Sequence, residues 1–194
     1  MREGDSIVLV GGGDSGEAAA GSAAGGAGGA GVAVAAAALG GSRWAVELHG
    51  LSGGPLPHLD VERHQAVCEL VRELVAGACR GEASVAISGL HDVSDGGLAL
   101  CLAELCCASS VGAVIDESWT TDALFTEAPS RVIVCTSEAE ALVSAAAAAG
   151  VPARVIGFTG GDRLVVPGLV DLAVAELVSV RARRLPEAAD QATA

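Results

Sequence analysis

Apolar runs too short to make a helix recur along this chain, each bounded by polar or glycine-rich residues. The clearest are IVLV (7–10), GAVID (112–116), RVIVCT (131–136) and RLVV (163–166). Runs of about four to eight residues dominated by β-branched side chains read as buried strands. SVAIS (84–88) and ARVIG (153–157) join them, and RWAVELHG alternates enough to predict a strand at about 44–48. The chain must therefore bury a sheet. Between strands the period becomes helical. Asp60 is placed as an N-cap, and Val67, Leu70, Val71, Leu74, Val75 and Ala78 follow on one face, with Glu62, Arg63, Glu69, Arg72 and Glu73 on the other. LALCLAELCC (98–107) predicts a nearly all-apolar helix. Ser137 and Glu140 form an S-x-x-E capping box that opens a helix running to Gly150. Asp171 is read as the cap of a last helix, which ends near Arg183 and Arg184, whose charges suit its C-terminal dipole. FTGGD, between ARVIG and RLVV, predicts a hairpin turned by Gly160 and Gly161. Helices mixed with strands and at least one hairpin favour an α+β fold, a mixed β-sheet packed with helices, over a purely parallel doubly wound sheet.

Residues 17–41 are nearly all Ala and Gly. Each glycine there costs a helix about 1 kcal/mol relative to alanine. The organisation expected is a leading strand and loop (1–16), a Gly/Ala-rich flexible insertion (17–38) with a short ordered piece near Val32–Leu39, a main domain (39–184), and a disordered tail (185–194) from about Pro186. The core should be aliphatic and finely packed, because 51% of residues are hydrophobic but the chain has two Phe, two Trp and no Tyr. A net charge of −13 excludes a nucleic-acid or anionic-membrane surface, since nothing would offset phosphate repulsion. No apolar run reaches the roughly 20 residues a spanning helix needs, and no secretory signal is evident. The six cysteines (68, 79, 101, 106, 107 and 135) form no C-x-x-C. They are read first as small buried hydrophobes in a reducing cytoplasm, with a zinc or disulfide framework as the alternative.

Two glycine loops compete as a phosphate site. In the first, Gly11, Gly13 and Gly16 fit G-x-G-x-x-G after a strand. The helix that should follow is full of glycine, and no acidic residue stands between Glu17 and Glu47 to hold a ribose. A strand end running into a loop explains it better. The second is GLHDVSDGGLAL (89–100), between a strand and a helix. Gly96 and Gly97 would let an anion approach the helix N-terminus. Asp92 and Asp95 would repel a bare phosphate, and Mg²⁺ resolves the conflict because it binds carboxylate and phosphate oxygens together. Ser94 adds a hydroxyl. The competing explanation is that Ser94 or Asp95 simply caps the helix. His91 alone reads as a packed or hydrogen-bonding residue. Glu127 and Arg131, one helical turn apart in FTEAPSRVIV, suggest a local ion pair, and Asp162 and Arg163 suggest turn chemistry.

Taken in order, LGGS, LDVE, HDVSDGGLAL, FTEAPSR and IGFTGGDRLVV resemble the C-terminal part of the phosphoribosylformylglycinamidine synthase family, within the aminoimidazole ribonucleotide synthetase C-terminal domain superfamily. The resemblance spans roughly residues 39 to 178, and Ser6–Val10 suits the strand that precedes it. Arg43 and Ala128 depart from it, where the family commonly has an acidic residue and a Ser or Thr. The resemblance implies part of an ATP-dependent carbon–nitrogen ligase of purine biosynthesis. Such an enzyme phosphorylates the amide oxygen of formylglycinamide ribonucleotide, and ammonia from a glutaminase partner displaces the phosphate. It also implies that Asp92 and Ser94 contact Mg²⁺ and a nucleotide in an auxiliary site, while the main ATP and substrate residues belong to upstream modules that this chain lacks. No catalytic residue is assigned here, and the chain alone should be an incomplete enzyme. The alternatives are a fragment of another synthetase of the superfamily, or a non-catalytic assembly or regulatory domain.

Overall fold

The computed structural model describes residues 1–12, 39–116 and 119–192, with residues 184–192 as backbone. The expected insertion (17–38) and the end of the first glycine loop lie outside the described residues. Among those described, seven strands form one sheet: β1 (Ser6–Gly11), β2 (Ile87–Asp92), β3 (Ala113–Ile115), β4 (Arg131–Thr136), β5 (Ala153–Thr159), β6 (Arg163–Val166) and β7 (Val170–Ala173). The helices are α1 (Arg43–His49), α2 (Val61–Arg80), α3 (Gly97–Ser109), α4 (Thr121–Phe125), α5 (Ala139–Ala148) and α6 (Val174–Ala192). The strand order is β2-β4-β1-β5-β3-β6-β7, antiparallel throughout except for the parallel pair β3–β6. The expected mixed α+β sheet is what forms.

The central strands are continuously apolar because both faces of the sheet are covered. Ile7, Leu9, Ile133 and Cys135 point to one face and pack with Leu98, Leu102 and Leu105 of α3. Val8, Val10, Val132 and Val134 point to the other and pack with Val67, Leu70 and Leu74 of α2 and Leu142 of α5. Asp60 caps α2 as expected, its carboxylate accepting from the Arg63 N–H at 3.0 Å. Val75 and Ala78, assigned to the inner face, are exposed.

Several local expectations are corrected. The stretch 44–48 is helical. Ser42 accepts from the Ala45 N–H at 3.2 Å, Gly50 closes the helix at φ 63°, and Arg43 pairs with Glu47 one turn on at 2.6 Å. Its apolar alternation misled because Val46 and Leu48 face solvent. The strand placed at 84–88 instead runs over 87–92, pairing Leu90 with Val134 and Asp92 with Val132. β2 is an edge strand, so the polar His91 and Asp92 are tolerated there. The β5–β6 hairpin does not exist. The apolar β3 inserts between those strands, and the Gly160–Gly161 turn clasps Gly112 through two 2.8 Å backbone bonds. The hairpin is β6–β7, turned through Gly168 at φ 75°.

Asp171 lies within β7 and pairs with Arg163 at 2.6 Å, while α6 starts only at Val174. The Ser137–Glu140 box is not formed. Glu138 takes the N-cap position of α5, and its carboxylate reaches across to the Ala86 N–H at 2.7 Å. α6 runs on to Ala192, through the segment expected as a disordered tail. Only Cys101, Cys106 and Cys135 are fully buried, whereas Cys68 and Cys79 are exposed on α2 and all six thiols are free.

Candidate functional site

The HDVSDGG segment lies where edge strand β2 ends and α3 begins. His91 is fixed from both sides: its Nδ1 lies 2.8 Å from the Asp92 carbonyl oxygen and its Nε2 lies 3.1 Å from a Glu104 carboxylate oxygen on α3. The Asp92 carboxylate projects to solvent, 70% exposed, with one oxygen 3.4 Å from the His91 ring. Val93 turns inward, and its N–H donates to the Arg131 carbonyl at 2.9 Å. Ser94 and Asp95 are exposed. Asp92, Ser94 and Asp95 are thus all solvent-exposed within the segment that joins β2 to α3.

The glycines do something other than leave room for phosphate. Gly96 is the N-cap of α3, at φ 75°, and neither Ser94 nor Asp95 takes that position. The simple capping explanation is therefore not the geometry found. The Gly96 N–H donates to Glu127 Oε1 at 2.7 Å, and the Gly97 N–H donates to the Ser94 carbonyl at 2.9 Å. Both N–H groups expected to face an anion are engaged within the chain. A Cβ on Gly97 would lie 2.6 Å from the Thr126 carbonyl oxygen, so this glycine lets α3 abut the 124–126 backbone.

The role of Glu127 is what sequence reasoning missed. The same Oε1 also accepts from the Arg43 N–H, the first of α1, at 2.8 Å. One carboxylate oxygen therefore satisfies the N-terminal N–H groups of two helices, where negative charge is favoured by both dipoles. LGGS, DGG and FTEAPSR, far apart in sequence, meet at that atom. The spacing to Arg131 had pointed to a local ion pair. Arg131 is buried, and its guanidinium donates to the Thr126 and Ala128 carbonyls, fixing the loop that carries Glu127. The signal that could have revealed the bridge is the pair of small-residue helix starts, GGS and DGG, neither carrying an acid in its first turn.

LGGS itself is a tight, capped turn. Ser42 is buried, its hydroxyl donating to the Leu39 carbonyl at 2.8 Å while accepting from Ala45. Arg43 is held in its charged form by its hydrogen bond to Glu47, with weaker contributions from Asp95 and Glu127. At the first glycine loop, Gly11 and Gly12 donate to the carbonyls of Pro152 and Ser130 at 2.8 and 2.9 Å. A Cβ on Gly11 would fall 1.9 Å from the Ser130 oxygen. Close strand–loop packing accounts for that glycine, in keeping with its reading as a strand end.

Among the described residues no group of three or more His, Cys, Asp or Glu is arranged to hold a metal, and no helix is long and apolar enough to cross a membrane. Asp92 offers one hard oxygen ligand. That fits Mg²⁺, which is commonly held by one or two carboxylates together with ligand phosphates and water.

Comparison with known proteins gives the family. The family described as AIR synthase related protein, C-terminal domain, matches residues 2–167. Phosphoribosylformylglycinamidine synthase subunit PurL of Thermomicrobium roseum is 41% identical over 162 residues, covering 79% of this chain and 21% of the relative. PurL of Rhodospirillum rubrum is 40% identical over 154 residues, covering 77% and 20%. The chain thus spans about a fifth of the length of these relatives. T. maritima PurL complexed with FGAR shares the fold at TM-score 0.62 and 18% identity, over 91% of this chain and 28% of that one. T. maritima PurL complexed with ATP does so at TM-score 0.55 and 18% identity, over 91% and 26%. On these grounds the chain belongs to the AIR synthase related protein, C-terminal domain family.

Proposed function

We propose that this chain acts as the C-terminal domain of a phosphoribosylformylglycinamidine synthase, contributing to the ATP-dependent amidation of formylglycinamide ribonucleotide in the cytoplasm. The observation that carries this reading is the meeting of LGGS, DGG and FTEAPSR at Glu127, in a chain about 40% identical to PurL proteins over most of its length. That convergence makes one structural unit of the motifs on which the resemblance rests. Solved relatives described as complexed with ATP and with FGAR, and an assembly described as PurLQS, support a nucleotide-handling unit that works with partner subunits.

In this reading the rim of Asp92, Ser94 and Asp95 faces the nucleotide. Mg²⁺, when bound, screens phosphate from the carboxylates. Asp92 supplies the ligand oxygen and Ser94 a hydroxyl contact. Gly96 and Gly97 contribute by seating α3 against the Glu127 loop, which sets where the rim points. His91, tethered to Glu104, holds the end of β2 in place. The upstream modules bring the main ATP and substrate groups, and a glutaminase subunit brings ammonia.

The test is reconstitution. The purified chain with ATP, Mg²⁺, ammonia and formylglycinamide ribonucleotide should show no turnover, because the reacting groups are not held together. Adding separately produced upstream modules of a PurL relative should yield ADP and the amidine. Turnover by the chain alone, or none after stable association with those modules, would overturn the proposal.

A further inference from the structure

We infer that Cys68 is a thiol-exchange site, its thiol activated by His64 and open to small disulfides. The two residues stand one turn apart on α2, with Cys68 Sγ 3.6 Å from His64 Nε2. On the other side of the ring, His64 Nδ1 lies 3.0 Å from Ser130 Oγ. The tautomer with its proton on Nδ1 donates to the serine and leaves Nε2 as the acceptor facing the thiol. A nucleophile, a base within reach and a third group that orients the base form the arrangement that activates nucleophilic side chains.

The orienting group is itself rigidly placed. Ser130 is one of two described non-glycine residues with positive φ, at 63°. Its carbonyl accepts from the Gly12 N–H at 2.9 Å and lies where a Cβ on Gly11 would be. Strand β1 and the Glu127 loop thus jointly hold the serine in an unfavoured backbone region, which is where structure is commonly spent on function. The neighbouring Arg63 donates to the Gly12 carbonyl at 2.9 Å, tying α2 to the same point.

The other cysteines lack this setting. Burial pushes the Cys106 and Cys135 thiols up to about 12 and the Cys101 thiol higher still, which keeps them protonated and inert. Cys79 is exposed on the same helix, one residue from its end, with no histidine at four residues' spacing. The step at Cys68 balances as follows. His64 Nε2 takes the thiol proton. The sulfur attacks one sulfur of a disulfide R–S–S–R, a new S–S bond forms, and R–S⁻ leaves and takes the proton. The disulfide is the oxidant, and R–SH is released in equal amount.

The test uses the full chain and 5,5′-dithiobis(2-nitrobenzoate) as the disulfide, followed by release of the coloured thiol and by peptide mass spectrometry. Cys68 should react first at neutral pH, on the order of tenfold faster than Cys79. His64→Gln should remove that advantage, and Ser130→Ala should reduce it. A Cys79→Ser chain should keep the fast phase and a Cys68→Ser chain should lose it. Equal rates at Cys68 and Cys79, or a fast phase that survives in His64→Gln, would overturn the inference. His64, Cys68 and Cys79 are exposed and Ser130 is half-buried, and an unchanged thermal midpoint in each variant would show that rates are read on folded protein.

Discussion

Replacing Glu127 with alanine should uncouple two helices at once. In the folded chain its Oε1 accepts from Arg43 of α1 and Gly96 of α3 at 2.8 and 2.7 Å. A hydrogen bond to a charged group contributes about 1.5–3 kcal/mol where it is shielded. The Gly96 bond is partly buried and falls in that range, at about 1.5–2 kcal/mol. The Arg43 N–H is exposed and can turn to water, so its bond is worth about 0.5 kcal/mol. Favourable charge at two helix N-termini adds about 0.3 kcal/mol each. Glu127→Ala should therefore cost about 2.5–3 kcal/mol. Glu127→Gln keeps an acceptor oxygen and loses the charge, so it should cost about 1 kcal/mol. Urea unfolding of both variants reads these values directly, and the alanine variant should melt about 5–10 °C lower. Amide hydrogen exchange gives a local reading, because Arg43 and Gly96 should both lose protection in the alanine variant. If Glu127→Ala falls within 0.5 kcal/mol of the parent (roughly the scatter of a neutral surface change), or if only one of the two amides responds, the bridging role is wrong.

Three further outcomes are expected. In the assembled enzyme of the proposed function, Asp92→Asn should weaken Mg²⁺-dependent nucleotide binding by about 1–3 kcal/mol while leaving the melting temperature unchanged, since the side chain is exposed, as read by titration calorimetry and thermal melts. Gly97→Ala should destabilise by about 2 kcal/mol or more, since the residue sits at φ 65° with its Cβ position 2.6 Å from the Thr126 oxygen; a melt within 1 °C of the parent would contradict the close approach. Stability should also fall as pH rises above 9. Burial holds the Cys106 and Cys135 protons up to about 12 in the folded chain, against an ordinary value of 9.0, so the unfolded chain releases protons first. That contribution is complete below pH 9.0 and is lost between there and about 12. Cys135→Ala should flatten the alkaline limb of a pH–stability curve, against a parent slope of about 1.4 kcal/mol per pH unit for each such thiol.

How far the fold was legible follows from what each segment answers to. β1 and β4 were readable because both of their faces meet helices, so every residue from Ile7 to Val10 and from Val132 to Cys135 had to be apolar. α2 was readable from Asp60 and its buried stripe for the same reason: local cap and distant core agree there. The errors fell where a segment's state is set by a partner remote in sequence. β3 carries only three residues, and nothing within GAVID says that it will split the strands on either side of FTGGD. In α1 only Ala45 is buried, so no stripe existed to give a period, and the deciding contacts are a serine cap and an exposed ion pair. Glu138 leaves its own helix to satisfy Ala86, fifty-two residues away, which is why the capping box did not close. The site divides likewise. Asp92, Ser94 and Asp95 could be singled out from sequence because the reasoning that groups them is local. The role of Glu127 could not be, because it depends on two amides eighty-four and thirty-one residues distant.

The charge at this site also limits what the chain can do by itself. Around the end of β2 lie Asp92, Asp95 and Glu104, with Glu127 behind them, and the nearby Arg43 is paired with Glu47. The N–H groups of Gly96 and Gly97 are spent on Glu127 and Ser94. A polyphosphate reaching the rim therefore meets carboxylates at short range on a chain of net charge −13, with no amide cradle at those glycines to receive it. Two unit charges 4 Å apart repel by about 4 kcal/mol near a protein surface, more than a single hydroxyl contact from Ser94 returns. The compensation must come from a divalent cation, from basic groups on neighbouring modules, or from both. Under the proposed function, that charge balance favours Asp92 acting on phosphate through Mg²⁺. It sets a clear expectation for calorimetry: nucleotide without Mg²⁺ should give no heat with this chain, and measurable Mg²⁺-free binding would mean that phosphate lands elsewhere.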